Sequence, residues 1–279
     1  MFCEMTPPIG LSITRMSPDR WNLGSTMDGG NTFYLRHRTP DDPSEGRDAD
    51  IDRVYLAGTS AAVWCIGECF FKAHAWCEEM QLESDNIRFV KEKAPEVPVP
   101  EVEYGWIDYT VNRHFLITKR VSGQTLDRAW RNFPYLNVRK LLKILRGLLA
   151  SWLLILHHAS KQSLVMEFVN HGFREKLMHH IQPEPPPAID PVFHFYHADL
   201  GPTNVMVMQD GTVSGIIDWE SAAYYPQFWV ATKTSLPAFH LECETDDPTL
   251  WGQLLGQALE VCGYKRLDAE FRRWVKAVT

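Results

Sequence analysis

The sequence contains no Cys-x-x-Cys pair, although it holds six cysteines, at positions 3, 65, 69, 77, 243 and 262. No histidine cluster stands beside them at the spacing of a structural zinc site, so a zinc-held fold is excluded and reduced intracellular thiols are expected. A basic excess is missing too: 28 Lys and Arg against 35 Asp and Glu leave a formal charge of −7. Such a chain has no general attraction for nucleic acid or an anionic membrane, and a polyanionic ligand must find a local cationic pocket. Long apolar runs are also absent. The most apolar stretch, Leu148 to Leu156, is far shorter than the about 20 residues that span a bilayer, and Lys143 and Arg146 lie just before it. The N-terminal residues MFCEMTPPIGLSITRM carry Glu4 and lack the basic start and continuous apolar segment of a secretory signal. A soluble, cytoplasmic protein is the expectation. No internal repeat is evident, which removes solenoids and propellers.

What remains is an ordinary globular composition, 279 residues with 45% hydrophobic and 23% charged content. This length suits one large domain or two lobes of roughly 100–150 residues each. Residues 37–53 are polar and turn-rich with six acids, which predicts a surface loop, and the preceding Met1 to Arg36 reads as an N-terminal arm. Short extended runs follow at Val54 to Ala57, Ala62 to Ile66 and Glu68 to Lys72, punctuated by Gly58 and Gly67. A helical stripe of Leu82, Ile87, Phe89 and Val90 over about Gln81 to Lys93 stops at Pro95. Val102 to Trp106 and His114 to Val121 are further strand candidates. Beyond Gly123 the pattern turns helical: Leu141, Leu142, Leu145, Leu148, Leu149, Trp152 and Leu156 recur at three- and four-residue steps. The proline-rich Pro183 to Pro191 is a rigid extended connection, and residues 250–278 return to a helix-compatible pattern.

The informative stretch is FHFYHADLGPTNVMVMQDGTVSGIIDWES, Phe193 to Ser221. Val205 to Met208 and Thr212 to Ile217 are β-rich runs joined through Asp210-Gly211, a strong hairpin signal. With Asp210 and Gly211 as the two turn residues, Gln209 pairs with Thr212 and Asn204 falls opposite Ile217. Asn204 and Asp218 then emerge together at the open end, where an amide oxygen and a carboxylate are hard ligands of the kind that hold Mg²⁺. Asp199, on the entering loop, would reach the same place and is suited to accept a proton from an attacking hydroxyl.

His-x-Asp-x-x-x-x-Asn, a hairpin, and an apolar pair ending in Asp form the arrangement of the kinase catalytic loop and its metal-binding Asp. On His197, Asp199, Asn204 and Asp218, in HADLGPTN and IIDWE, the chain resembles the aminoglycoside phosphotransferase and choline kinase-like family, specifically its fungal phosphotransferase branch. The resemblance runs from roughly Arg53 to Phe239 and is weakest between Lys161 and Ile189, where the acceptor site is usually built. It implies an α+β, bilobal, protein-kinase-like fold. Residues 1–52 would be the arm and acidic loop, 53–121 a small antiparallel-sheet lobe with one helix, and 122–279 a larger, mainly helical lobe. It further implies ATP and Mg²⁺ as cofactors and a small-molecule hydroxyl as acceptor. Asp199 would be the base, Asn204 and Asp218 the metal ligands. Lys72, ending the strand ECFFK, would anchor the α- and β-phosphates and pair with Glu83 of LESDNIRFV, with Asp85 as the competitor for that pairing. The backbone of Lys119 to Val121 would meet adenine, and Glu220 lies where acceptor specificity is set.

Departures from the protein-kinase pattern narrow the reading. LAGTSAAVWCIG offers only Gly58 and Gly67 where a Gly-x-Gly-x-x-Gly loop would cover the phosphates. Asp218-Trp219-Glu220 stands in place of Asp-Phe-Gly, and no long activation segment fits before Tyr225-Pro226. The second departure points from a protein kinase to a small-molecule acceptor, whereas the first bears on how tightly ATP is held. The degenerate glycine loop also motivates an alternative, an enzyme of fungal secondary metabolism that keeps the fold for acid/base condensation or cyclisation without ATP. A silent binding module is disfavoured because every catalytic position is filled. The acids Glu242, Glu244, Asp246 and Asp247 read as a solvated loop rather than a pocket for a cationic acceptor. Trp219, Tyr224, Tyr225, Phe228 and Trp229 read as core. The adjacent pairs His157-His158 and His179-His180 point to opposite sides and make poor metal sites.

Overall fold

The computed structural model describes residues 9–10, 14–17, 20–26, 32–36, 51–58, 60–66, 68–78, 80–153, 155–158, 192–267 and 269. They fall in two compact units, one within Met1–Glu79 and Glu101–Arg120, the other within Met80–Pro100 and Val121–Thr279. The class is α+β, with a unit of antiparallel strands and a unit that carries all the described helices. No described helix is long and apolar enough to cross a membrane.

In the first unit, β1 (Ile9–Gly10), β2 (Thr14–Ser17), β3 (Arg20–Thr26) and β4 (Thr32–Arg36) form a small sheet in which β3 pairs with the other three. The stretch expected to be an arm is therefore a paired sheet. Its apolar residues fall in short runs, Trp21 and Leu23 on β3 and Phe33 to Leu35 on β4, too brief to announce a strand by pattern alone. Residues 37–50 of the expected loop lie outside the described residues, and its last residues already belong to β5.

The larger sheet of this unit is β5 (Ile51–Ala57), β6 (Ala61–Ile66), β7 (Cys69–Ala75), β8 (Val102–Asp108) and β9 (Arg113–Lys119), in the order β5-β6-β7-β9-β8. Period-two alternation sends Cys69 and Phe71 of β7 to the same face as Phe115 and Ile117 of β9, and Ile66 completes a buried cluster there. Phe71 stacks on Phe115 at 5.7 Å between ring centres, and Phe115 on Trp106 at 4.9 Å. Burial of each such ring stabilises the sheet by about 1.5–3 kcal/mol. The same alternation turns Lys72 to the opposite face, opposite Leu116 of β9. Lys72 sits in the middle of β7 rather than at its end, because pairing with β9 continues through Ala75.

The second unit begins with α1 (Glu83–Lys93), which has Glu83 and Asp85 in its first turn and Lys91 and Lys93 in its last, both favourable to the helix dipole. Glu83, Asn86, Ile87 and Val90 are its buried face. The helix expected inside the small lobe therefore clusters with the other unit, held there by hydrogen bonds described below. After α2 (Leu126–Trp130), α3 (Tyr135–Trp152) buries Leu141, Leu145, Leu148 and Leu149. The leucine stripe was expected to run helically through Leu156. Instead Leu156 opens β11 (Leu156–His158), which pairs with β12 (Val192–Tyr196), itself paired with β15 (Ala223–Pro226). An apolar residue in helical phase also suits a strand, and the tertiary pairing decides. Downstream, α4 (Gln227–Thr232) and α5 (Leu250–Val261) complete the helices, and α5 buries Trp251, Leu255 and Leu259. Phe271 and Trp274, the expected weak-acceptor region 161–189, His179-His180 and the proline-rich 183–191 all lie outside the described residues.

Candidate active site

The hairpin of β13 (Val205–Val207) and β14 (Val213–Ile216) carries the expected ligand positions, and a short strand β10 (Gln124–Thr125) pairs with β13. Its turn differs from the two-residue form. Gly211 N–H donates to Met208 O and Met208 N–H to Thr212 O, while Gly211 takes φ +81°, so the loop is Gln209-Asp210-Gly211 with a left-handed glycine last. Three loop residues alone would shift every pair by one. A bulge at Ser214 cancels the shift, since Val207 faces Val213 but Met206 faces Gly215. Val205 then faces Ile216, and Ile217 N–H donates to Asn204 O at 3.0 Å. Asn204 falls opposite Ile217 as expected, by two compensating irregularities.

His197 is fully buried and ties the two ends of this arrangement together. Its Nδ1 accepts from Asp199 N–H at 3.3 Å, which leaves the proton on Nε2 to donate to Ile217 O at 2.9 Å. The ring meets the edge of Trp219 at 4.6 Å between centres, and the indole N–H of Trp219 donates to Ile216 O. The loop from Ala198 to Pro202 has a donor on each successive carbonyl. Lys233 Nζ donates to Ala198 O, Asn204 Nδ2 to Asp199 O at 2.8 Å, and Trp251 Nε1 to Leu200 O at 3.0 Å. The Asn204 and Asp127 backbone N–H groups donate to Gly201 O and Pro202 O. Gly201 is a glycine because a Cβ would lie 2.5 Å from Ala238 O.

Asn204 Nδ2 also donates to the Asp199 carboxylate at 3.1 Å, which turns its Oδ1 away from Asp199. Burial pushes the Asp199 carboxyl above the ordinary carboxylate range; Lys233 and the Asn204 hydrogen bond pull against this, while Asp218 and Glu220 add to it. Asp199 therefore shares one electrostatic environment with Asp218 and Glu220. Asp218 holds a left-handed backbone, φ +67°. Carboxylate oxygens of Glu83, Asp218 and Glu220 come within 4.8 Å of one another, a set that could hold a metal ion. Hard, anionic oxygens are the donors that Mg²⁺ takes, so the residues present fit that ion.

The sequence-predicted residues divide as follows. Asp199, Asn204, Asp218 and Glu220 converge in the second unit, and Glu83 joins them from α1, its carboxylate accepting Trp219 N–H at 3.1 Å. Asp85, the competitor of Glu83, is exposed and bonded to Arg88. Lys72 and Lys119 belong to the first unit. The Lys119 ammonium lies 3.0 Å from Glu101 and 3.2 Å from Glu103 at the surface. Its backbone N–H donates to Glu101 O and that of Arg120 to Glu68 O. Val121 is pressed on the hairpin, where a Cβ on Gly215 would lie 2.5 Å from its Cγ1. The acidic loop is anchored by Asp127, which accepts from Glu242 and Cys243 N–H, and Glu242, Glu244 and Asp246 are exposed, as a solvated loop should be. Trp219 and Tyr225 are buried.

Three residues escaped the sequence reading. Asn86 donates to Trp219 O at 2.8 Å and to Ala222 O at 3.0 Å, tying α1 to the turn that follows Asp218. Its signal was legible: an Asn at i+3 from Glu83 on an otherwise apolar stripe. Trp251 and Lys233 gave no local signal, since both reach the loop from elements far along the chain.

The sequence profile of the phosphotransferase enzyme family matches residues 164–229, which include His197, Asp199, Asn204 and Asp218. The match agrees with the phosphotransferase likeness read from those four residues; nothing bears on the fungal branch. Among solved structures, the chain is similar to the GDP complex of aminoglycoside 2'-phosphotransferase-IIIa, at 15% identity over 86% of this chain and 84% of that one, with a TM-score of 0.49. It is also similar to aminoglycoside-3'-phosphotransferase of type VIII, at 17% identity over 77% of this chain and 96% of that one, TM-score 0.43. A third is a thermostable mutant of aminoglycoside phosphotransferase APH(4)-Ia in a ternary complex with ADP and hygromycin B, at 15% identity over 67% and 71%, TM-score 0.42. No curated protein matches the chain.

Proposed function

We propose that this protein is a small-molecule kinase that moves the γ-phosphoryl group of ATP to a hydroxyl of its acceptor, with Mg²⁺. The observation that carries the reading is the meeting of Asp199, Asn204 and Asp218 at the open end of one hairpin, inside a phosphotransferase-family segment. Asp199 accepts the acceptor's hydroxyl proton; the acceptor oxygen bonds to the γ-phosphorus while the bond to the bridging oxygen breaks, and ADP leaves. Asn204 Oδ1 and the Asp218 carboxylate would hold Mg²⁺, which supplies positive charge for the phosphate oxygens. By the resemblance, Lys72 anchors the α- and β-phosphates and Glu83 orders that end of the site. By the same resemblance, the backbone of Lys119 to Val121 would meet the adenine edge. Glu220 borders the acceptor, whose identity is set by side chains beyond these.

Calorimetry with Mg²⁺-ATP, compared with Mg²⁺-GTP, and a screen of hydroxylated acceptors for Mg²⁺-dependent ADP release test the proposal. Binding is expected, and Asp199→Asn should retain it while losing about 10²–10⁴-fold in transfer rate, the worth of a general base. Absence of nucleotide binding at millimolar concentration would overturn the reading in favour of chemistry without ATP.

A further inference from the structure

Lys233 stands in the turn Lys233–Ser235 that follows α4, thirty-four residues beyond Asp199 in the chain. It is a lysine with an unusual setting. Its stem is largely buried, its ammonium donates to the carbonyl of Ala198, and it is the leading cationic influence on the Asp199 carboxylate. Ala198 itself holds φ +64°, the left-handed region, which costs a residue with a Cβ about 1–2 kcal/mol. Nothing in Ala198 favours that conformation, since its side chain has no polar atom to bond the backbone. The neighbouring groups must hold it, and the ammonium on its carbonyl is the strongest of these by charge.

We infer that Lys233 is a positioning residue of the catalytic loop: its ammonium, fixed on the Ala198 carbonyl next to Asp199, holds the left-handed peptide that aims Asp199 at the acceptor. The inference deepens the proposed phosphoryl transfer and rests on it for the kinetic readout alone. The structural logic is a division of labour among three side chains from distant elements. Asn204 holds the Asp199 carbonyl, Trp251 the Leu200 carbonyl, and Lys233 the Ala198 carbonyl. Of the three, only Lys233 brings a formal charge, and only Lys233 holds the carbonyl of the left-handed residue itself.

The test compares Lys233→Met, Lys233→Arg, Ala198→Gly and the double variant Ala198→Gly/Lys233→Met. In Lys233→Met the kcat should fall about a hundredfold, the scale of a misplaced catalytic group, with the nucleotide KM nearly unchanged. Lys233→Arg should recover part of that loss. Amide hydrogen exchange across 197–204 should accelerate in Lys233→Met, and less so when Gly replaces Ala198, because glycine takes the left-handed conformation at no steric cost. A Lys233→Met protein that keeps its kcat within threefold, or whose 197–204 amides exchange as in the parent, overturns the inference. If the parent protein transfers no phosphoryl group, the proposed function fails, and the exchange experiment still decides whether Lys233 holds the loop.

Discussion

Replacing Asn86 by Ala isolates the link between α1 and the turn that follows Asp218. The amide of Asn86 is fully buried and donates to two backbone carbonyls, those of Trp219 and Ala222. In the alanine variant both acceptors lose that donor, at about 1–3 kcal/mol for each buried group left unsatisfied. One term offsets this. The Asn86 Oδ1 is buried with no hydrogen-bond partner among the described residues, so removing it returns roughly what one such group costs. The expected net loss is about 1–3 kcal/mol, read from urea denaturation followed by circular dichroism. Asn86→Asp keeps the shape but places a carboxylate against two carbonyl oxygens, so it should be worse than Ala at neutral pH and recover as the pH falls and the acid gains a proton. Amide exchange at 217–222 should rise in both variants. An alanine variant within about 0.5 kcal/mol of the parent, the range of an ordinary surface substitution, would refute the reasoning, since it would mean that the two carbonyls find other donors.

Two further expectations concern the hairpin and its neighbours. Gly123 holds φ +98°, and a Cβ there would lie 2.4 Å from Val207 O, so Gly123→Ala should destabilise the chain by roughly 2 kcal/mol or more and loosen β10 from β13; an unchanged urea midpoint would contradict it. The Asp210 carboxyl is held well below the ordinary carboxylate range, first by the Lys140 ammonium at 2.7 Å and then by Thr212. A depressed folded value means that this contribution is present above the unfolded value near about 3.9 and is lost as the pH falls through the folded one. The difference in urea midpoint between the parent and Lys140→Met should therefore shrink on going from about pH 6 to about pH 3; a difference that stays constant would remove the pair as its cause.

Much of the site was legible because its residues are close in sequence and tied to a hairpin. Asp199, Asn204 and Asp218 lie within one stretch whose alternation and Asp-Gly turn point to a hairpin, and the observed pairing sets Asn204 opposite Ile217 as a two-residue turn would have done. Even there, the route was hidden. A left-handed Gly211 and the Ser214 bulge each move the register by one, and only their sum restores it. The β7 strand was legible through its apolar alternation, but its length was not, because pairing with β9 extends it beyond Lys72. The sheet of residues 9–36 was missed for another reason: its apolar runs, Trp21 and Leu23 on β3 and Phe33 to Leu35 on β4, are too brief to distinguish paired strands from an extended arm.

The sequence by itself determined which residues are candidates for the chemistry, the order of strands, helix and hairpin, and the solvated character of the acidic loop, since each rests on local spacing or composition. The tertiary structure decided which distant groups support that set. Asn86 on α1, Lys233 after α4 and Trp251 on α5 all hydrogen-bond backbone carbonyls of the 198–222 region; a polar residue on an apolar stripe marks Asn86, but no local pattern marks Lys233 or Trp251 or names the distant carbonyl that any of the three meets. It also decided that α1 clusters with the hairpin unit, through Glu83 and Asn86, and that Leu156 leaves the helix for a strand. Local propensity proposes elements from neighbours a few residues apart. A buried carbonyl must find a donor wherever the chain can bring one, and only the folded arrangement selects it.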